Sequence, residues 1–283
     1  MKLCTFESAG ERQAGIVVGD RILSIAQVNL KRGARFPTDL LELIESGQIE
    51  ALKDLAKGLE PELELTAVRL TLPYPRPGKI WCIGLNYKSH AEDINAVQPE
   101  EPGAFMKPST SIFEPGGYIE LPPERLTKDV DAEGELAIVF GKRCREVPID
   151  EIDDVIFGYT TTLDLTALDI LAKNPRYLQR SKSFDTFFSF GPVIVTKDEI
   201  ADVNGLEVIT KHNGAVFSRD FVRNMRHLPA KLASFHTDVM TFEPGDILST
   251  GCPKGARIKA GDTVEAYIDG VGSLSAKVKR RGE

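Results

Sequence analysis

The sharpest chemical feature of the sequence is Asp131-Ala132-Glu133-Gly134-Glu135-Leu136-Ala137-Ile138-Val139-Phe140. Side chains of a strand alternate between its faces, so Glu133 and Glu135 point one way while Leu136, Ile138 and Phe140 point to the core. Two like charges on one strand face repel when they are desolvated, and a divalent cation relieves the repulsion. Hard carboxylate oxygens select Mg²⁺, Mn²⁺ or Ca²⁺ over soft-metal chemistry. The plainer alternative is a water-exposed strand end. Asp164 follows an apolar strand over 155–161 and precedes a helical pattern. It is either a third carboxylate held over a cleft or the N-cap of that helix. Lys182, in Arg180-Ser181-Lys182-Ser183-Phe184-Asp185, is either an ammonium that steadies developing negative charge beside such carboxylates or a surface lysine.

Of the four histidines, His212 precedes an Asn-Gly turn and reads as solvated, and His227 and His236 read as structural. His90 differs. It lies in Asn86-Tyr87-Lys88-Ser89-His90-Ala91-Glu92-Asp93, inside a long polar loop over 84–103 that carries Pro99 and Pro102. In a helical turn, His90 and Asp93 share a face. A carboxylate beside an imidazole raises its basicity and fixes its tautomer, which suits a general base. The segment Ser249-Thr250-Gly251-Cys252-Pro253-Lys254-Gly255 is a Gly-rich turn that either lines a pocket or merely connects strands.

These groups need elements to hold them. Residues 1–30 read as short strands, with a hairpin turn at Gly19-Asp20. Thr38 is placed to cap a helix over 39–45, and Ile49, Leu52, Leu55 and Ala56 recur at helical spacing up to Gly58. Pro73-Tyr74-Pro75-Arg76-Pro77-Gly78 can be neither helix nor central strand, so it divides a small N-terminal domain, 1–72, from a main domain, 73–283. Strands are predicted over 79–83, 134–140 and 155–161, and a helix around 165–172 ends at Asn174-Pro175. Asn213-Gly214 marks a hairpin, Pro229 opens a helix, and 264–278 alternates in the strand period. Many short strands with few helices give a mostly β, α+β fold with helices on its outside.

The 283 residues are 42% hydrophobic and 27% charged, ordinary usage for a globular chain, with a formal charge of −7. The longest basic cluster is Lys279-Arg280-Arg281, so a nucleic-acid partner is not expected. No apolar run approaches the roughly 18 residues of a membrane span. The opening MKLCTFESAGER has no apolar signal core, and Cys4, Cys82, Cys144 and Cys252 form no C-x-x-C pair. Both points lead us to expect a cytoplasmic protein with reduced thiols and no membrane partner. Glycine-rich nucleotide fingerprints, a G-x-S-x-G elbow and an H-E-x-x-H zinc motif are all lacking.

Taken in order, the pieces resemble the fumarylacetoacetate hydrolase (FAH) family. The motifs are Ile83-Gly84-Leu85-Asn86-Tyr87 with His90-Ala91, Phe105-Met106-Lys107-Pro108, Glu133-Gly134-Glu135-Leu136 and Gly158-Tyr159-Thr160 with Asp164. They continue with Lys182-Ser183-Phe184-Asp185, Asn213-Gly214, and Glu243-Pro244-Gly245-Asp246-Ile247 with Thr250-Gly251. The likeness runs roughly from Lys79 to Val278. It implies an FAH-type mixed β-sandwich roll, usually dimeric, behind a small N-terminal α/β domain. It implies Mg²⁺ or Mn²⁺ held by Glu133, Glu135 and Asp164, a charge-stabilising Lys182, and substrate contacts from Lys107 and Cys252. It places His90 in a lid, paired with an acidic neighbour, to activate water. The implied reaction is hydrolytic cleavage of a C–C bond in a 2,4-dioxo, acylpyruvate-like acid. The alternatives are hydration, dehydration or decarboxylation of a sugar-derived 2-oxo acid, and a catalytically silent metal-binding relative. The chain departs from the family pattern at Asp93, where Glu is usual, with Glu92 one place earlier. It departs again at Leu168 and Leu171 in place of Arg and Gln, at Ser218 in place of Gln, and at Cys252 in place of Thr. The metal ligands are kept while several substrate-facing polar groups are not, which implies a more apolar pocket.

Overall fold

The computed structural model describes residues 1–93 and 95–282. Three long antiparallel strands form its centre: Val130–Phe140, Ile156–Ala167 and Phe188–Thr196. On one side, Ile247–Ser249 extends the sheet and is followed by Ile80–Gly84, in parallel, and Gly103–Met106. On the other side, Phe188–Thr196 pairs with Lys2–Ser8, which leads to Glu11–Val18 and Arg21–Ser24. A second sheet of five strands runs Ala215–Phe221, Glu207–His212, Thr263–Ile268, Gly272–Arg280 and Tyr118–Leu121. Mostly antiparallel pairing in two sheets, with short helices outside, is the expected mostly β, α+β fold.

The two central strands are longer than the sequence pattern suggests, and every residue of both is buried. A strand covered on both faces loses the polar alternation by which its ends are usually read. The run Thr160-Thr161-Thr162 supplies β-branched residues that carry the second strand past the expected end. Asp164 therefore lies within the strand. It caps nothing, since the helix Leu168–Lys173 starts four residues later behind Ala167.

Gly134 faces the second sheet, where an added Cβ would lie 2.7 Å from Thr210 Oγ1 and 3.0 Å from the Ala266 methyl. Its amide donates to Thr210 Oγ1 at 3.1 Å. The glycine between the two glutamates thus lets the second sheet pack hard against the back of the strand that carries them. Leu136, Ile138 and Phe140 share this face with Val208 and Ile268.

Near the N-terminus the hairpin forms as expected, with Val18 opposite Arg21. Ile25–Arg32 is a helix rather than strand, because the Ser24 side chain accepts from the Gln27 amide and Ile25 and Val28 are buried one turn apart. The next helix is capped by Asp39, not Thr38; Asp39 Oδ1 accepts from the Leu41 and Glu42 amides. Helices Ile49–Ala56 and Pro229–Val239 lie where periodicity puts them, and the Asn213-Gly214 turn takes positive φ at both residues. Among the described residues no helix is long and apolar enough to cross a membrane.

Candidate metal centre

The antiparallel register pairs Glu133 with Asp164 and Glu135 with Thr162. Directly opposed residues put their side chains on the same face. Glu133, Glu135 and Asp164 consequently converge, each offering a carboxylate oxygen within 4.8 Å of the others. They are 3%, 1% and 0% exposed, which disposes of the water-exposed strand end.

Each carboxylate is held by hydrogen bonds, with Lys182 shared between two of them. Glu133 Oε2 accepts from Lys182 Nζ at 2.8 Å, and its Oε1 accepts from the Thr166 hydroxyl. Glu135 Oε2 accepts from Ser249 Oγ at 2.5 Å and from the Gly251 amide at 3.0 Å. Asp164 Oδ2 accepts from Lys182 Nζ at 2.8 Å. Lys182 ends the short helix Leu178–Lys182 and also lies 4.8 Å above the centre of the Phe105 ring.

Lys107 is sealed behind Asp164, with its side chain wholly buried and its Nζ 2.5 Å from Oδ1. Its three N–H groups go to the carbonyls of Leu165, Lys182 and Phe187. The contact to Asp164 is therefore ionic rather than hydrogen-bonded, and Asp164 Oδ1 is left buried without a donor. Lys107 braces the cage from behind and does not face the cleft, so the substrate contact expected of it is not where the structure places it.

Electrostatics follow from burial. Burial raises Glu135 to about 8, helped by Asp164 and Glu133. Glu133 feels the same burial, but Lys182 and His90 outweigh it and hold this carboxyl below its ordinary value. Burial pulls on Lys182 in the opposite sense, yet Asp164, Glu133 and Glu135 keep its ammonium well above its usual value. Three buried carboxylates that converge, one of them a glutamate driven towards its neutral form, are what an oxygen-ligated divalent cation would resolve, so the residues fit Mg²⁺ or Mn²⁺.

His90 stands over the cage on the helix Lys88–Asp93. Its Nδ1 is buried and unpartnered, and an imidazole nitrogen comes within 4.8 Å of both Glu133 and the Cys252 thiol. Burial lowers its pKa despite the raising pull of Glu133. The expected pairing with Asp93 is not made. Asp93 Oδ1 lies 2.7 Å from Lys254 Nζ, and Ser89 Oγ donates to the Pro253 carbonyl at 2.9 Å. The helix is thus fastened to the Gly251–Gly255 turn. Asn86 anchors its root, donating to the carbonyls of Thr250 and His227 and accepting from the His227 amide. Cys252 is 2% exposed beside the cage, its thiol pushed well above the usual range by burial and by Glu133 and Glu135. Of the altered positions, Ser218 donates to the Lys254 carbonyl at 3.1 Å, supporting the same turn.

Two sheets bring together three buried carboxylates, with Lys182 and His90 beside them, in an arrangement that could hold a divalent cation. The profile of the fumarylacetoacetate (FAA) hydrolase C-terminal family matches residues 79–279, and the chain belongs to that family. A protein of unassigned function from Methanocaldococcus jannaschii is 44% identical over 205 residues, covering 72% of this chain and 84% of that one. The mitochondrial oxaloacetate tautomerase Fahd2a of Rattus norvegicus is 34% identical over 253 residues, covering 86% and 80%. The crystal structure of maleylpyruvate hydrolase from Sphingobium sp. SYK-6 with manganese(II) and pyruvate superposes with a TM-score of 0.80 at 29% identity, covering 99% of each chain. Members of the family include hydrolases, isomerases and tautomerases.

Proposed function

We propose that this protein is a divalent-cation-dependent enzyme that moves a proton on a small 2-oxo acid through its enolate, with keto–enol interconversion of an oxaloacetate-like acid as its reaction. The observation that carries this reading is the buried triad Glu133, Glu135 and Asp164 under an unpartnered His90. A cation on those oxygens supplies an electrophile that the carboxylate and keto oxygens of a 2-oxo acid can grip. His90, kept neutral by burial, takes the proton from the carbon next to the keto group and returns it. Lys182, firmly protonated, lies where negative charge gathers in the enolate. The helix Lys88–Asp93, fastened to the Gly251–Gly255 turn, would limit the access of bulk water to the carbanion. Cys252 sits beside His90 and Glu133, where it would touch the distal end of the acid.

Asp93 is engaged by Lys254 at 2.7 Å, so the acid–histidine dyad expected to activate water is not assembled, which favours the reading without attack by water. Hydrolysis of a 2,4-dioxo acid is the second reading. It is supported by the full-length likeness to maleylpyruvate hydrolase and requires His90 to exchange its surroundings when the lid moves. One experiment separates them. Metal-free protein is given Mg²⁺ or Mn²⁺, and both the decay of enol-oxaloacetate absorbance and the products from a panel of acylpyruvates are followed. Cation-dependent loss of the enol without C–C cleavage is expected, and Lys182→Met should slow it about a hundredfold. No cation-dependent reaction on either group would refute the proposal.

A further inference from the structure

The hard triad is not the only set of donors that converges under the lid. His90, Cys252 and Glu133 each offer one ligand atom within 4.8 Å of the other two. Their chemistry is different: an imidazole, a thiol and a carboxylate make the mixed N, S and O set that zinc accepts with a fourth position left open. The ring of His90 is not fully engaged, its Nδ1 being buried with no hydrogen-bond partner. Tetrahedral bonds of the usual zinc lengths put donors about 3.3–3.7 Å apart. The three donors lie within 4.8 Å of one another, so they need to tighten by at most about 1.5 Å, and two of the three lie on segments outside the central strands, the helix Lys88–Asp93 and the Gly251–Gly255 turn.

We propose that the closed lid forms a soft-metal site from His90, Cys252 and Glu133, which takes Zn²⁺ and by doing so withdraws Glu133 from the hard-cation cage. As the Zn–S bond forms, the Cys252 thiol proton leaves to solvent. Neutral imidazole, thiolate and carboxylate then balance the two charges of the ion. Lys182 keeps its second partner, Asp164, 2.8 Å away, and Thr166 still donates to Glu133. The bound ion joins the lid to the sheet through three residues far apart in sequence, so it both occupies the proton-transfer residue and holds the lid shut. Hard cations, which prefer oxygen, have no use for the thiol. A site of this kind makes one cleft respond in opposite senses to two classes of divalent ion: hard ions complete it and zinc closes it.

The test reads binding directly. Co²⁺ is titrated into metal-free protein and the thiolate-to-cobalt charge-transfer band in the near ultraviolet is followed, with Zn²⁺ then added as competitor. The expected result is a band that Zn²⁺ removes, that is missing in Cys252→Ser, and whose Co²⁺ affinity falls at least tenfold in His90→Ala, a change on the outer helix that spares the core. Mn²⁺ binding to Cys252→Ser, followed by electron paramagnetic resonance, is expected to persist, because all three hard ligands remain. No band in the wild-type protein, a band surviving in Cys252→Ser, or unchanged affinity in His90→Ala overturns the inference. The result is separable from the proposed reaction. A protein inactive on every 2-oxo acid would still show the band, and an active protein without it would refute the soft site alone.

Discussion

Replacing Lys107 by Met keeps the length and apolar stem of the side chain and removes only its ammonium. In the wild-type protein that ammonium faces Asp164 at 2.5 Å and donates to three buried carbonyls. Removing one member of a buried ion pair costs about 3–5 kcal/mol. Each orphaned carbonyl adds about 1–3 kcal/mol unless water enters or the backbone relaxes. Relaxation offsets part of this, so we expect a net loss of about 4 kcal/mol in metal-free protein. Urea unfolding with EDTA measures it. With a slope of about 3 kcal/mol/M, the midpoint falls by roughly 1.3 M. Saturating Mn²⁺ should then raise the midpoint of the variant more than that of wild type, because the ion replaces the positive charge Asp164 has lost. A loss below about 1 kcal/mol, or equal gains from Mn²⁺ in both proteins, would show that Lys107 does not neutralise Asp164 and that its buried position is packing alone.

Other consequences can be measured in the same preparations. Glu135 is pushed from 4.5 to about 8, so its neutral form is favoured in the metal-free fold, and the stability it contributes is complete below 4.5 and lost as pH rises through about 8. Cation binding at pH 7 should accordingly release about one proton, with affinity rising up to tenfold per pH unit until about 8. Calorimetry in buffers of different ionisation enthalpy reads this, and zero release would refute the burial argument. The Asp93–Lys254 pair is partly exposed, so Lys254→Ala should change global stability by less than about 1 kcal/mol. It should nevertheless speed amide exchange across Lys88–Asp93 several-fold; unchanged exchange would mean the pair does not hold the lid.

The sequence carried the site further than it carried the fold around it. Glu133 and Glu135 were legible because period-two alternation is a local property, although the strand that bears them begins four residues before the expected 134–140. Asp164 was ambiguous because helix cap and strand residue look alike where a strand is buried on both faces; only the register opposite Glu133 separates them. The partner of Asp93 stayed open for a different reason. Helical spacing brings it near His90, but Lys254, 161 positions away, wins it with a full opposite charge at 2.7 Å. Thr166, which donates to Glu133, was hidden because its segment reads as the start of a helix, and Ser249, which donates to Glu135, was visible only as the first residue of a turn that either lines a pocket or connects strands. The helix Ile25–Arg32 was hidden by its short length and by hydrophobic residues that also suit a strand.

Gly134 has a consequence for how such a protein can change its chemistry. With the second sheet lodged within contact distance of its backbone, the strand bearing two of the three acidic ligands has no room to shift, whatever replaces the loops. Variation is thereby directed to the opposite wall, the short helix and the turn beneath it, which reach the cage through side chains and the single Gly251 amide. A lineage can rewrite that wall repeatedly, exchanging a hydroxyl for a thiol or one carboxylate for a shorter one, and the seat for the ion stays where the two sheets meet.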